Sequence, residues 1–342
     1  MEKHYFLKTI IALGLFSGVL SAELKFTHHY IATDLPLDQP WGWGPSALAD
    51  FDKDGDLDFA VSVKQDNIYW FENLGQGQNW QRHTLGKLVP EITLGANILD
   101  VNNDGWVDLV IGGAWYENPR EPRAKEFIRH AFDPEIKLEI HDVAPADVDG
   151  DGRMDIVLMA DKVGAFWYQI PAEPAGAWKK TRIGEPLHGG FAPQGVADID
   201  GDGDVDITRA NIWWENQDKG QKFVEHALPF GKAGRWGVSG RSVIIDLDKD
   251  GDNDMVMSDC DQNYATAAWL ENKGKGREWA RHDLPETAPL GRGSFHSLRV
   301  ADIDGDGDLD LASKIWLRWP RNANEGREHV DWLENQSTKN TK

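Results

Sequence analysis

The stretch ADIDGDGDLDL, residues 301–311, places five aspartates within nine residues. The same arrangement opens at Asp50, Asp100, Asp147, Asp198, Asp246 and Asp302, at intervals of 50, 47, 51, 48 and 56 residues. A period of this size constrains the chain to an array of like units rather than one irregular core.

Within each copy, oxygen-bearing side chains stand at positions 1, 3, 5 and 9 of the loop. They are Asp50, Asp52, Asp54 and Asp58; Asp100, Asn102, Asp104 and Asp108; Asp147, Asp149, Asp151 and Asp155; Asp198, Asp200, Asp202 and Asp206; Asp246, Asp248, Asp250 and Asp254; and Asp302, Asp304, Asp306 and Asp310. Carboxylates this close raise one another's pKa unless a cation sits among them. Hard oxygen ligands at this spacing, with Gly307 at the turn of the last copy, suit calcium. A helix–loop–helix calcium motif would need an acidic residue at position 12, where Ser313 stands, and helical periodicity in the flanks. The flanks read instead as short strands joined by the loop.

More than the loop repeats. A β-prone run follows each one, and then a tryptophan signature: Trp70-Phe-Glu-Asn, Trp115-Tyr-Glu-Asn, Trp213-Trp-Glu-Asn, Trp269-Leu-Glu-Asn and Trp332-Leu-Glu-Asn, with Trp167-Tyr-Gln-Ile degenerate in the third copy. A further strand carries aromatic-x-x-His at Trp80/His83, Phe127/His130, Phe223/His226 and Trp279/His282, and Trp178 with Thr181 in the third copy. Four strands in about 50 residues make a β-propeller blade. The expectation is an all-β single propeller of six four-stranded blades and roughly 24 strands. The sixth unit stops after Asn335 without its last strand, and the N-terminal KFTHHYIA supplies Phe26 and His29 at the missing spacing. That strand is expected to close the ring, which removes open sheet edges.

Over residues 25–336 the chain resembles the FG-GAP/VCBS family of calcium-binding propellers. Many members have seven blades, so the resemblance leaves room for a seventh. It implies extracellular adhesion, glycan binding or, in some members, sugar-lyase and dehydratase chemistry; the fold does not choose among them.

Residues 1–22, with Lys3 and Lys8 before an apolar run ending in small residues, read as a signal peptide, leaving the propeller at 23–337 and a polar tail at 338–342. The expected location is secreted or periplasmic, with no membrane span. The formal charge of −21 becomes −22 without the signal, and six calcium ions would leave about −10. The acidity therefore speaks first of metal. The single cysteine, Cys260, excludes an internal disulfide, and nothing basic or patterned suggests nucleic acid.

Residues that recur in every blade serve the blade, so function is sought in the remainder. Five of eleven histidines, at 29, 83, 130, 226 and 282, are removed in this way as structural. Strand alternation puts the calcium loops on one face of the ring, and His141, His188 and His296 on the opposite face. Trp41, Trp43, Trp236, Trp316 and Trp319 belong to that face, with Arg209, Arg235, Arg241, Arg299, Lys314 and Tyr264. Indoles stack on sugar faces while Arg and Lys pair with carboxylate or sulfate, so the set reads as a site for an extracellular acidic glycan.

The bland alternative is a channel lined by satisfied polar groups. A catalytic alternative is β-elimination. There Arg235, Arg241 and Arg299 would neutralise a uronate, and His141, His188, His296 and Tyr264 would move protons. A protein-binding propeller without chemistry is the third. A two-carboxylate glycosidase fits less well, because most carboxylates are committed to metal. The oligomeric state is not legible.

Overall fold

The computed structural model describes residues 5–7, 24–35, 45–62, 67–88, 93–136, 140–185, 190–191, 193–209, 211–230, 240–246, 250–259, 267–283, 299–307, 310–314 and 330–336. Among them there is no helix and there are 26 strands in six sheets, one sheet for each repeat. Each sheet holds the four antiparallel strands that the repeat anticipates, and two sheets carry one short strand more. The first blade is typical: Ser46–Ala49, Asp58–Ser62, Asn67–Asn73 and Trp80–Lys87 pair in sequence order. First strands of the first four blades lie side by side in order, and Arg299–Ala301 of the sixth returns to Ser46–Ala49 of the first. The architecture is a closed six-bladed propeller.

The N-terminal strand closes it. Leu24–Ala32 pairs antiparallel with Val330–Asn335, setting Phe26 opposite Asn335 and His29 opposite Trp332. This is the register of the other blades, where Trp70 faces His83, Trp115 faces His130, Trp213 faces His226 and Trp269 faces His282. Tyr5–Leu7 adds a short edge strand outside Leu24–Ala32. The histidines are structural, as read from their recurrence. Each packs on the facing indole, at ring-centroid distances of 4.4–4.8 Å. Each also bonds through Nε2 to the glutamate of the tryptophan signature, as His83 does to Glu72 at 2.7 Å and His130 to Glu117 at 2.7 Å.

The core lies in the seams between blades rather than within them. One apolar cluster joins Phe51 and Trp70 of the first blade to Leu109 and Tyr116 of the second; another joins Phe59 and Phe71 of the first to Trp332 of the sixth. Trp70, Trp115, Trp213 and Trp332 are at most 1% exposed, and truncating an indole so buried typically costs about 3–5 kcal/mol.

Polar latches index the seams. The signature asparagine accepts from the glycine amides of its own turn and donates to the preceding blade's loop. Asn272 Oδ1 accepts from Gly276 N at 2.9 Å, and its Nδ2 donates to Ile199 O at 2.9 Å. Asn118 reaches Phe51 O at 2.8 Å, Asn216 reaches Val148 O at 2.8 Å, and Asn73 crosses the closure to Ile303 O at 3.2 Å. The third blade has Ile170 where the latch would be, and its seam with the second is built differently. There Phe132 stacks on Trp178 at 4.2 Å, Tyr168 Oη donates to Asp133 Oδ2 at 2.6 Å, and Trp115 and Trp178 both donate to Pro174 O.

Two entry segments leave their own blade and pair in parallel with the next blade's first strand. Thr93 bridges Ile140, and Pro193–Gln194 pairs with Ser242 and Val243. Parallel pairing follows because first strands all run the same way past the axis.

Two outcomes test this account. Asn272→Ala strands buried partners on two blades and should lower unfolding free energy by about 2–4 kcal/mol in urea titration. A chain lacking residues 1–32 leaves Val330–Asn335 as an open edge, so it should melt lower and less cooperatively, and a synthetic 24–32 peptide should restore the parent melt.

Candidate functional site: acidic loops on one face, arginines on the other

Each acidic loop is wound around its first aspartate. In the first blade Asp50 Oδ1 accepts from Asp54 N at 3.1 Å and Oδ2 from Gly55 N at 3.1 Å, while Asp52 Oδ1 accepts from Asp54 N at 3.3 Å. The second, fourth and sixth loops repeat the pattern. The turn needs a left-handed residue at position 6, and the glycine there has φ between +85° and +101° in all six blades.

The position-9 aspartates sit differently from their neighbours. Asp58, Asp108, Asp206, Asp254 and Asp310 are all 0% exposed. Asp58 accepts from Phe51 N at 3.0 Å and Asn73 N at 2.9 Å; Asp108, Asp206 and Asp310 make the same pair of bonds in their blades. Burial pushes Asp58 up to about 8, Asp108 and Asp206 to about 7, and Asp155 to about 6, against the backbone donors that lower them.

Carboxylate oxygens converge to within 4.8 Å of one another at Asp50, Asp52 and Asp58; at Asp147, Asp149 and Asp151; at Asp198, Asp200 and Asp206; and at Asp302, Asp304 and Asp306. A further group, Asp52, Asp54 and Glu72, draws in the signature glutamate, which the spacing of the loop alone does not reveal. These clusters could hold a metal ion: the donors are hard oxygens, and the buried carboxylates are short of positive charge. Asp248 lies outside the described residues.

The opposite face gathers the basic side chains of the inner strands. His141 and Asp142 open Ile140–Ala146 in the third blade, and Arg241 opens Gly240–Ile245 in the fifth. Arg241 Nη1 donates to Asp142 Oδ2 at 2.6 Å, with both side chains under 5% exposed. Gly190 passes so close that a Cβ there would lie 1.6 Å from Asp142 Oδ2, so only glycine fits. Arg299 reaches across the axis, where Nη2 donates to Ser46 O of the first blade and to Ala96 O of the second, the latter at 2.9 Å. Burial and the nearby Arg241 push Arg299 down to about 10, with Asp142 opposing. His141, which precedes Asp142 on the strand, is 1% exposed.

Arg209 stands apart, at the end of Asp206–Arg209 in the fourth blade. It is 0% exposed, and none of its three guanidinium nitrogens has a hydrogen-bond partner among the described residues. Burial pushes it down to about 9, with the Asp161 and Glu225 charges pulling it back up.

The structure thus brings together Arg241 and Arg299 around Asp142, with His141 next to Asp142 along the same strand, and it places Arg209 in a separate position. Lys314 is located by its backbone, opposite Val330. Trp41, Trp43, His188, Arg235, Trp236, Tyr264, His296, Trp316 and Trp319 lie outside the described residues. Asp142 went unmarked in the sequence, although a signal was present. It stands five residues before its loop, as Arg241 does, with opposite charge and two blades away.

No curated protein matches the sequence. Among solved structures, the chain is similar to the catalytic domain of a Coprinopsis cinerea GH62 alpha-L-arabinofuranosidase, with 8% identity, coverage of 91% of this chain and 96% of that one, and a TM-score of 0.48. It is also similar to the V. cholerae biofilm matrix protein Bap1, with 10% identity, coverage of 91% and 74%, and a TM-score of 0.39. The family model of the FG-GAP-like repeat matches residues 50–111 and 246–313, which hold the first two and the last two acidic loops. These two stretches of the propeller are therefore FG-GAP-like repeats.

Proposed function

We propose that this is an exported, calcium-stapled propeller that captures an acidic glycan on the face opposite its calcium loops. Two features support calcium: the all-oxygen donor set, and a turn that needs glycine at position 6. In the first blade Asp50, Asp52, Asp54 and Asp58 would hold the ion, and the other loops would follow suit to give about six. When bound, the ion supplies positive charge that lets the crowded carboxylates ionise together. The apolar run within residues 1–22 supports export.

The observation that carries the glycan reading is Arg209. A buried guanidinium without an acceptor is costly, and a ligand's carboxylate or sulfate that reached it would supply the missing acceptors. Arg241 and Arg299 add positive charge near the axis of the same face. Their bonds to Asp142, Ser46 O and Ala96 O also tie the ring together, which favours capture over turnover.

Two measurements test the reading. Excess chelator should lower the melting temperature by at least about 5 °C, because ligand bound only to the folded state stabilises it by mass action; an unchanged melt removes calcium from the account. Acidic polysaccharides should be retained by the immobilised protein and neutral ones should not. Arg209→Met should abolish retention while leaving the melting temperature equal or higher, since it removes an unpaired buried charge. Retention unaffected by Arg209→Met would overturn the site, and release of unsaturated uronate would replace capture with a lyase.

A further inference from the structure

The turn between the third and fourth strands of one blade overhangs the acidic loop of the blade before it. In two blades that turn delivers an arginine into the carboxylates. Arg123, from the second blade, sets Nη2 at 2.7 Å from Asp52 Oδ2, 2.8 Å from Asp54 Oδ2 and 2.7 Å from Glu72 Oε1 of the first blade. Its Nε also donates to Glu72 Oε1 at 2.7 Å. Arg277, from the fifth blade, sets Nη2 at 2.7 Å from Glu215 Oε1 and 3.8 Å from Asp200 Oδ2 of the fourth. The equivalent turns of the first and third blades, at 74–79 and 170–177, contain no Lys or Arg.

Asp52 belongs to two of the converging groups, the inner one with Asp50 and Asp58 and the outer one with Asp54 and Glu72. Arg123 holds the outer group, so a divalent ion in the inner group would share Asp52 with a guanidinium. Asp52 and Glu72 are buried, with side chains 2% and 5% exposed, so the repulsion between the two cations is poorly screened. In the fourth blade Asp200, which converges with Asp198 and Asp206, lies 3.8 Å from Arg277 Nη2.

We propose that Arg123 and Arg277 are built-in counter-cations that weaken divalent-ion binding in the first and fourth blades while pinning the seams to the second and fifth. The first and fourth loops, whose buried Asp52 and Asp200 face an arginine from the next blade, then bind calcium more weakly than they would without it. When calcium is scarce, the two weak blades stay joined to their neighbours by arginine. This inference rests on the calcium reading.

Calcium titration of the metal-stripped full-length chain by calorimetry tests it, with the melting temperature in chelator as a second readout. The parent should show sites of unequal affinity, with the first and fourth loops in the weaker class. Arg123→Gln should move one site from the weak class by about tenfold or more, Arg277→Gln the other, and the double variant both. Arg123→Lys keeps the charge and should retain the weak site. In chelator the glutamine variants should melt below the parent, and in saturating calcium they should match it. Superimposable titrations, or weaker calcium binding in the glutamine variants, would overturn the proposal. A parent that takes up no calcium at all would instead overturn the calcium reading beneath it. Arg123 is half-exposed, so these substitutions leave the core intact.

Discussion

The ring depends on one buried carboxylate in each blade. The position-9 aspartate, at 58, 108, 206 and 310, binds the amide at the second position of its own loop and the amide of the signature asparagine. The first bond fixes the loop and the second fixes the end of the third strand. With its backbone held, the asparagine side chain can reach only one place, the loop carbonyl of the preceding blade. In the first, second, fourth and fifth blades, blade n is therefore indexed on the preceding blade through a polar chain, and the apolar seams close around it. Such a network is rigid only when every donor and acceptor is satisfied, which is why the motif repeats so faithfully.

That arrangement concentrates negative charge on one face. The buried aspartates are pushed up out of the usual carboxylate range, and the other carboxylates of the loop crowd beside each of them. The protein meets part of this demand itself: Arg120 forks onto Asp104, Arg153 onto Asp151, and Arg123 onto three carboxylates at once. The opposite face has the reverse problem, because arginines from inner strands must end near the axis. Asp142 answers Arg241, and two backbone carbonyls answer Arg299, whereas Arg209 is left without an acceptor.

The repeat made the blades, their number and the closing strand legible, because period and register are local properties of the sequence. His29 could be assigned to the last blade from its spacing to Phe26 alone, and its pairing with Trp332 follows. What stayed hidden was whatever joins one blade to a non-equivalent partner. The Asp142–Arg241 pair spans 99 residues and recurs in no other blade among the described residues. The parallel pairing of Thr93 with Ile140 depends on where the chain enters the ring, and no motif marks it. The third blade looked merely degenerate at Gln169 and Ile170. Its aromatic seam through Phe132, Tyr168 and Trp178 shows that it is specialised, with stacking in place of the amide latch.

The closing strand has a consequence for the order in which the molecule assembles. His28 and His29 meet Asp331 and Glu334 across 303 and 305 residues, nearly the full chain. A ribosome delivers this strand first and its partner last. For the whole of synthesis the strand is an orphan with one sheet edge to fill, while the intervening blades already have neighbours. Loop-closure entropy grows only slowly with such lengths, so the delay costs time far more than it costs stability. The last event in making the ring is thus the return of its beginning, and until then the protein is an open arc with a free edge at each end.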